Sequence, residues 1–204
     1  MQKGDYLKAI LRSPKTVFTT KDVSLLWGEP AAQAARVRLY YYVKHGDLYR
    51  IRRGLYAKEE HYNTMELATR IFTPAYVSFE TILAREGVIF QFYNEISVAT
   101  YLTREITIEG QVYTFRKIRD TILTNPMGVE HRDESSLAAK ERAFLDTLYI
   151  HTDYQFDNLG GLDWDKVFDL LPIYQNKRIT RKVTEFYKKT GNTKNNYETG
   201  YINP

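Results

Sequence analysis

Seven side chains able to donate strong hydrogen bonds crowd one short stretch: Gln33, Arg36, Arg38, Lys44, Arg50, Arg52 and Arg53. Arginine or glutamine can grip a base edge through two bonds, and arginine or lysine neutralises a phosphate. The chemistry on offer is recognition of a polyanion. Residues 30–57 read PAAQAARVRLYYYVKHGDLYRIRRGLYA. At 100° per residue, Ala35, Leu39, Tyr42 and Val43 form the packed stripe of a helix. The opposite side carries Gln33, Val37, Tyr40 and Lys44, with Arg36 and Tyr41 on its flanks. Gln33 and Arg36, nearer the N-terminal half, suit base edges; Tyr40 and Lys44 suit phosphates. Arg38 adds to the charge of the same helix.

His45-Gly46-Asp47 breaks that helix. Two apolar-aromatic segments follow, 48–51 and 55–56, joined by Arg52-Arg53-Gly54. A basic helix followed at once by a basic hairpin is the layout of a winged helix-turn-helix. Arg50, Arg52 and Arg53 then lie on or beside the wing, where arginines follow the DNA backbone or enter the minor groove. Double-stranded DNA is the expected partner.

Upstream residues supply the elements that position this face. Tyr6, Leu7, Ile10 and Leu11 recur with a period near 3.6 and predict a first helix over 5–11. Ser13-Pro14 ends it, because the residue before a proline is pushed from α geometry. Val17-Phe18 can add a short pairing segment. Thr19 or Thr20 caps a helix over 21–27, which Gly28 terminates. Pro30 suits the first turn of the next helix.

Charge is distributed unevenly. Residues 1–58 hold 12 Lys+Arg against 4 Asp+Glu, a net +8; residues 59–171 hold 10 against 19, a net −9; residues 172–204 hold 7 against 2, a net +5. The modest overall +4 hides a basic head, an acidic middle and a basic tail. The basic head is the electrostatic footprint expected of phosphate contacts. With 204 residues, 43% of them hydrophobic, one to two domains and an ordinary core are expected. No run of about 18 apolar residues occurs and the first residues lack a signal-peptide core, so no membrane association is expected. Zero cysteines exclude disulfides and thiolate chemistry. A bacterial, cytoplasmic protein is expected.

The polar KEEHYN segment near 58–63 marks the expected boundary. The expected division is a winged helix-turn-helix over 1–58, a mixed α/β domain over 59–190 and a flexible tail over 191–204, an α+β fold overall. Helices are predicted over 64–71 and 79–86, the second closed by Gly87. Residues 88–101, rich in β-branched and aromatic side chains, predict strands. Glu109-Gly110 is a hairpin turn between strands 104–108 and 111–117, and 118–123 reads as another strand. Ser135 or Ser136 is expected to cap a helix through LAAKERAFLDTLYIH, with Leu137, Phe144, Leu145 and Leu148 on its apolar side. Further helices are predicted over 163–171, stopped by Pro172, and over 180–189.

Catalysis finds little support. Glu80, Asp120, Glu141 and Asp146 have no spacing that demands a shared site; Glu141 and Asp146, five apart, lie about 140° apart around a helix. Lys140 and Glu141 suit surface or inter-helix ion pairs. His45, His61, His131 and His151 show no metal-ligand spacing. Gly160-Gly161 reads as a turn, and Ser78 lacks an elbow motif. No catalytic residue, cofactor or metal is expected, and no enzyme.

Four segments carry a resemblance. They are the basic wing ending in RRGLYA, YVSFETILAREGVI at 76–89, ISVATYLTREITIEGQVYTFRKI at 96–118, and SLAAKERAFLDTLYI at 136–150. Their order resembles the AbiEi antitoxins of AbiE-type, type IV toxin–antitoxin (abortive infection) systems. The resemblance implies an N-terminal domain that binds inverted repeats in its own promoter and represses the operon. It implies a C-terminal domain that counters a nucleotidyltransferase-like toxin without a stable complex, as part of phage defence. It raises the interest of Lys140, Glu141 and Asp146 as an antitoxin surface. The alternative is a ligand-responsive winged-helix transcriptional regulator without a toxin partner, its aromatic strands lining a pocket.

Overall fold

The computed structural model describes residues 5–29, 32–91 and 93–191. The readings made for Pro30 and for the tail beyond residue 191 lie outside them. Helix α1 spans Asp5–Arg12, strand β1 Val17–Thr19, α2 Thr20–Trp27 and α3 Ala32–Lys44. Strands β2 (Tyr49–Arg52) and β3 (Leu55–Ala57) follow, and β3 pairs antiparallel with both β1 and β2.

Local chemistry accounts for these boundaries. The Thr19 hydroxyl accepts the Asp22 N–H at 3.0 Å, and Asp22 Oδ2 accepts the Thr19 N–H at 2.9 Å, a complete capping box. Gly28 closes α2 at φ +64°, a left-handed conformation that favours glycine. A compact core of Ile10, Phe18, Val23, Trp27, Ala35, Leu39, Tyr42, Leu48 and Tyr56 joins the helices to the sheet.

The rest of the described chain is a second, larger α+β unit. Its elements are α4 (Thr64–Ile71), β4 (Ala75–Val77), α5 (Phe79–Arg85), β5 (Glu95–Thr100), β6 (Arg104–Ile108), β7 (Gln111–Lys117) and α6 (Asp120–Leu123). Then come β8 (Val129–Arg132), β9 (Ser135–Ala138), α7 (Lys140–Ile150), α8 (Trp164–Leu170) and α9 (Lys177–Lys189), with a 3-10 turn at Leu171–Tyr174. The sheet order is β6-β7-β5-β4-β9-β8. Strand pairs β5–β7 and β4–β9 are parallel; β4–β5, β6–β7 and β8–β9 are antiparallel. Glu109 and Gly110 both have positive φ, +51° and +83°, which matches the twist a two-residue hairpin needs.

Four expected segments differ. Strand structure in 88–101 is confined to β5. Val88 and Ile89 are buried instead in the turn after α5, where both N–H groups reach the Leu83 carbonyl. Residues 118–123 are not a strand: only the Ile118 N–H continues the ladder, to Thr100, and 120–123 coil into α6. Short apolar runs carry no period long enough to separate the two. Ser135 and Ser136 begin β9 rather than cap a helix, and α7 starts at Lys140 with no side-chain cap. Helix α9 begins one turn before the expected start, because Asn176 accepts the N–H groups of Arg178 and Ile179.

The expected boundary at 58–63 falls between β3 and α4, yet packing crosses it. Val17 and Leu55 belong to the larger core. The buried Glu66 carboxylate accepts Thr16 N–H at 2.8 Å, the Thr16 hydroxyl at 2.7 Å and Val17 N–H at 3.2 Å. Arg70 then pairs with Glu66 at 3.0 Å, with Asp22 at 3.3 Å and with Glu134 at 3.8 Å. One arginine thus ties α2, α4 and the β8–β9 turn together. At the other side, Tyr49 and Tyr62 both donate to Glu109 at the β6–β7 tip.

Candidate nucleic-acid interface

Helix α3 buries Ala35, Leu39 and Tyr42 against the small core. Its opposite side exposes Gln33, Arg36, Val37, Tyr40 and Lys44, the face that the 3.6-residue period gives. Among the described residues no hydrogen bond or ion pair engages the side chains of Gln33, Arg36 or Lys44, and all three are exposed.

Arg38 departs from this pattern. It points back toward α1, forms an ion pair with Glu29, and stacks over the Tyr6 ring with its Cζ 3.9 Å from the centroid. Tyr6 also donates to Glu29 at 3.2 Å. The Arg38 guanidinium beside Glu29 holds that carboxyl below its ordinary range. Arg38 therefore braces α1 against α3 and is a different kind of residue from its neighbour Arg36. The physical reason is the helical step: two residues on from Arg36, the side chain swings about 200° around the axis.

Strand β2 alternates half-buried and exposed positions, which puts Arg50 and Arg52 together on one outward face. Arg53 and Gly54 make the turn, and Gly54 takes φ +83° there. The arginines of the hairpin and the outward cations of α3 belong to the same basic unit. A cleft of about 300 Å³ between the hairpin and the larger sheet is lined by Arg52, Arg53, Arg70 and Arg104.

The residues of α7 do not form a polar surface. Glu141 is 3% exposed and Asp146 fully buried. Glu141 Oε1 accepts the Asp163 N–H at 3.0 Å, which positions the start of α8. Asp146 accepts hydrogen bonds from Ser78 at 2.8 Å, Tyr76 at 3.0 Å and Tyr174 at 2.7 Å, and lies 3.4 Å from Arg142 Nε. Burial pushes the Asp146 carboxyl up, while the Arg142 charge and the three hydroxyls oppose the rise. Arg142, also fully buried, donates to the carbonyls of Met127 at 2.7 Å and Ile122 at 2.6 Å. Helix α7 is enclosed by α5, α8 and α9, so its polar residues serve the interior. Lys140 alone of the three stays half-exposed, on a charged cleft of about 670 Å³ with Arg85, Arg132 and Lys166.

Of the carboxylates considered for catalysis, Glu80, Glu141 and Asp146 are engaged separately, and Asp120 lies exposed in the first turn of α6. Glu80 pairs with Arg116 at 3.0 Å, and Arg116 lies 2.9 Å from His151 Nε2. Burial, then the Arg116 charge, lowers the His151 pKa, with Glu80 opposing the shift. Among the described residues no cluster of His, Asp and Glu is placed to hold a metal ion, and no helix is long and apolar enough to cross a membrane.

The brackets Glu66–Arg70 and Arg142–Asp146 went unread in the sequence, although both carry the i,i+4 opposite-charge spacing that signals a helical pair. The Glu109 contacts had no such local signal, since their partners lie 47 and 60 residues away. Comparison with protein-family models finds no match for this chain, and comparison with curated proteins finds none either.

Proposed function

We propose that the chain is a DNA-binding transcriptional repressor whose three N-terminal helices and hairpin work as a winged helix-turn-helix. The observation that carries the reading is the outward face of α3, where Gln33, Arg36 and Lys44 are exposed, in a unit whose hairpin also exposes Arg50, Arg52 and Arg53. Helix α3 enters the major groove, where Gln33 and Arg36 meet base edges. Tyr40, Lys44 and the hairpin arginines meet phosphates and set the register. Arg38 supports this face from behind.

The order of segments that resembles AbiEi antitoxins supports a second role. The larger unit then counters a nucleotidyltransferase-like toxin encoded beside this chain, without forming a stable complex with it. Burial removes Glu141 and Asp146 from any surface that would act on the toxin and leaves Lys140 as the accessible member.

A reporter driven by the DNA upstream of the chain's own gene tests both parts together. The chain represses it, and Arg52→Ala/Arg53→Ala releases repression while still protecting cells from the neighbouring toxin. Repression unchanged in that variant refutes the DNA face; absence of protection by the intact chain refutes the antitoxin role. The cleft of about 670 Å³ beside Lys140 favours one other reading, a regulator that senses a small charged ligand. Thermal stabilisation by a metabolite, lost in Lys140→Ala, would mark that class.

A further inference from the structure

Gln33, Val37 and Tyr40 follow one another along the outer stripe of α3, and the middle position is apolar. Val37 is 61% exposed and Tyr40 66%. A single exposed valine ordinarily needs no explanation. This one is surrounded by donors: Gln33 one turn before it, Arg36 beside it, Lys44 two turns after. A β-branched residue is also a poor helix former, so propensity does not favour it at a solvent-facing position.

The major groove displays one apolar group, the C5 methyl of thymine. Resting on the DNA-binding reading above, we propose that Val37 is a specificity residue that packs on a thymine methyl. Helix α3 then selects an A·T pair by apolar contact, beside the bases that Gln33 and Arg36 address by hydrogen bonds. Spacing fixes where the thymine lies. Four helical residues rise about 6 Å, and successive bases lie about 3.4 Å apart. The thymine therefore sits about two base pairs from the base held by Gln33, for which adenine offers the matching N6/N7 edge.

The experiment uses the full chain and a duplex it selects from a randomised pool. Thymines in the selected site are replaced by uracil one at a time, which deletes only the methyl. At one position of the selected site the native chain loses about fourfold in affinity, the worth of burying one such group. Val37→Ala binds the thymine duplex about fourfold more weakly than the native chain and gains no further loss from uracil at that position. Equal uracil penalties for the native chain and the variant at every position overturn the proposal. So does a change in oligomeric state on Val37→Ala with no uracil effect, which would make the patch a contact between copies. A pool that yields no retained duplex overturns the DNA reading itself, a distinct outcome. A thermal melt of Val37→Ala within about 1 °C of the native chain assigns the loss to the contact rather than to folding, and a lost uracil effect in an unfolded variant is replaced by the same scan on Val37→Ser.

Discussion

Arg36 and Arg38 differ by two positions in the sequence and by the whole thickness of a helix in space. Arg36 faces solvent; Arg38 holds Glu29 and covers Tyr6. Opposite consequences follow for removing them. Arg36→Ala weakens DNA binding with little change in stability. Arg38→Ala lowers stability by about 1 kcal/mol, from a partly exposed ion pair and its stacking, and leaves the salt dependence of DNA binding unchanged. Denaturant melts and binding titrations on the two variants separate the roles. Helix α7 holds a second contrast. Asp146→Ala strands the fully buried Arg142 charge and costs about 3–5 kcal/mol. Lys140→Ala, on the rim of the charged cleft, stays within about 0.5 kcal/mol. If Lys140 serves the antitoxin role, that variant loses protection while its melting curve is unchanged. A melt showing Asp146→Ala as stable as the native chain would contradict the buried network. None of this burial was legible in KERAFLD, because periodicity reports one apolar stripe and cannot say that a helix is covered on every side.

Several turns and one cap were legible, since their chemistry is local, whereas Ser135-Ser136 and Asn176 were not. A threonine cap at 19 or 20, Gly28 after α2 and Glu109-Gly110 between β6 and β7 each follow from adjacent residues alone, and the structure selects Thr19 and pairs it with Asp22. The strand β9 was misread as a helix start because its partner β4 is remote in sequence, and its adjacent partner β8, the largely exposed VEHR, shows no apolar alternation to signal the hairpin turning at Asp133-Glu134. The capping box also carries a pH dependence. Burial raises the Asp22 pKa, but hydrogen bonds from Thr19 and Lys15 and the Arg70 charge outweigh it, and the carboxyl ends below its ordinary 3.8. A carboxyl with a depressed folded-state pKa contributes stability that is present above the unfolded value and lost as pH falls through the folded one. The seating of α2 should therefore weaken below about pH 4. Asp22→Asn lowers stability at pH 7 and flattens that acid-side decline; hydrogen exchange on α2 amides against pH measures it. An identical acid decline in the variant would exclude Asp22 as its source.

The basic head and the larger unit share more than a chain. Glu66, Arg70 and Glu109 clamp them from two sides, and Val17 and Leu55 extend one core beneath the other. Composition marked the change of charge near residue 58 but was blind to this packing, which depends on contacts across some 50 positions. Glu66→Ala leaves the Thr16 and Val17 N–H groups unpaired and should cost about 3 kcal/mol, with exchange protection falling first in β1. Equal protection in the variant would show that the clamp is dispensable. The polarity of the molecule is what makes the DNA reading testable in solution. Affinity of the full chain for duplex DNA, measured by fluorescence anisotropy across a series of salt concentrations, should fall steeply, with a logarithmic slope of about −0.9 for each phosphate neutralised. Arg52→Ala/Arg53→Ala should flatten that slope by about two such contacts while the protein stays folded. A native chain without measurable affinity for duplex DNA, or a variant with the native slope, would contradict the assignment of this face to DNA.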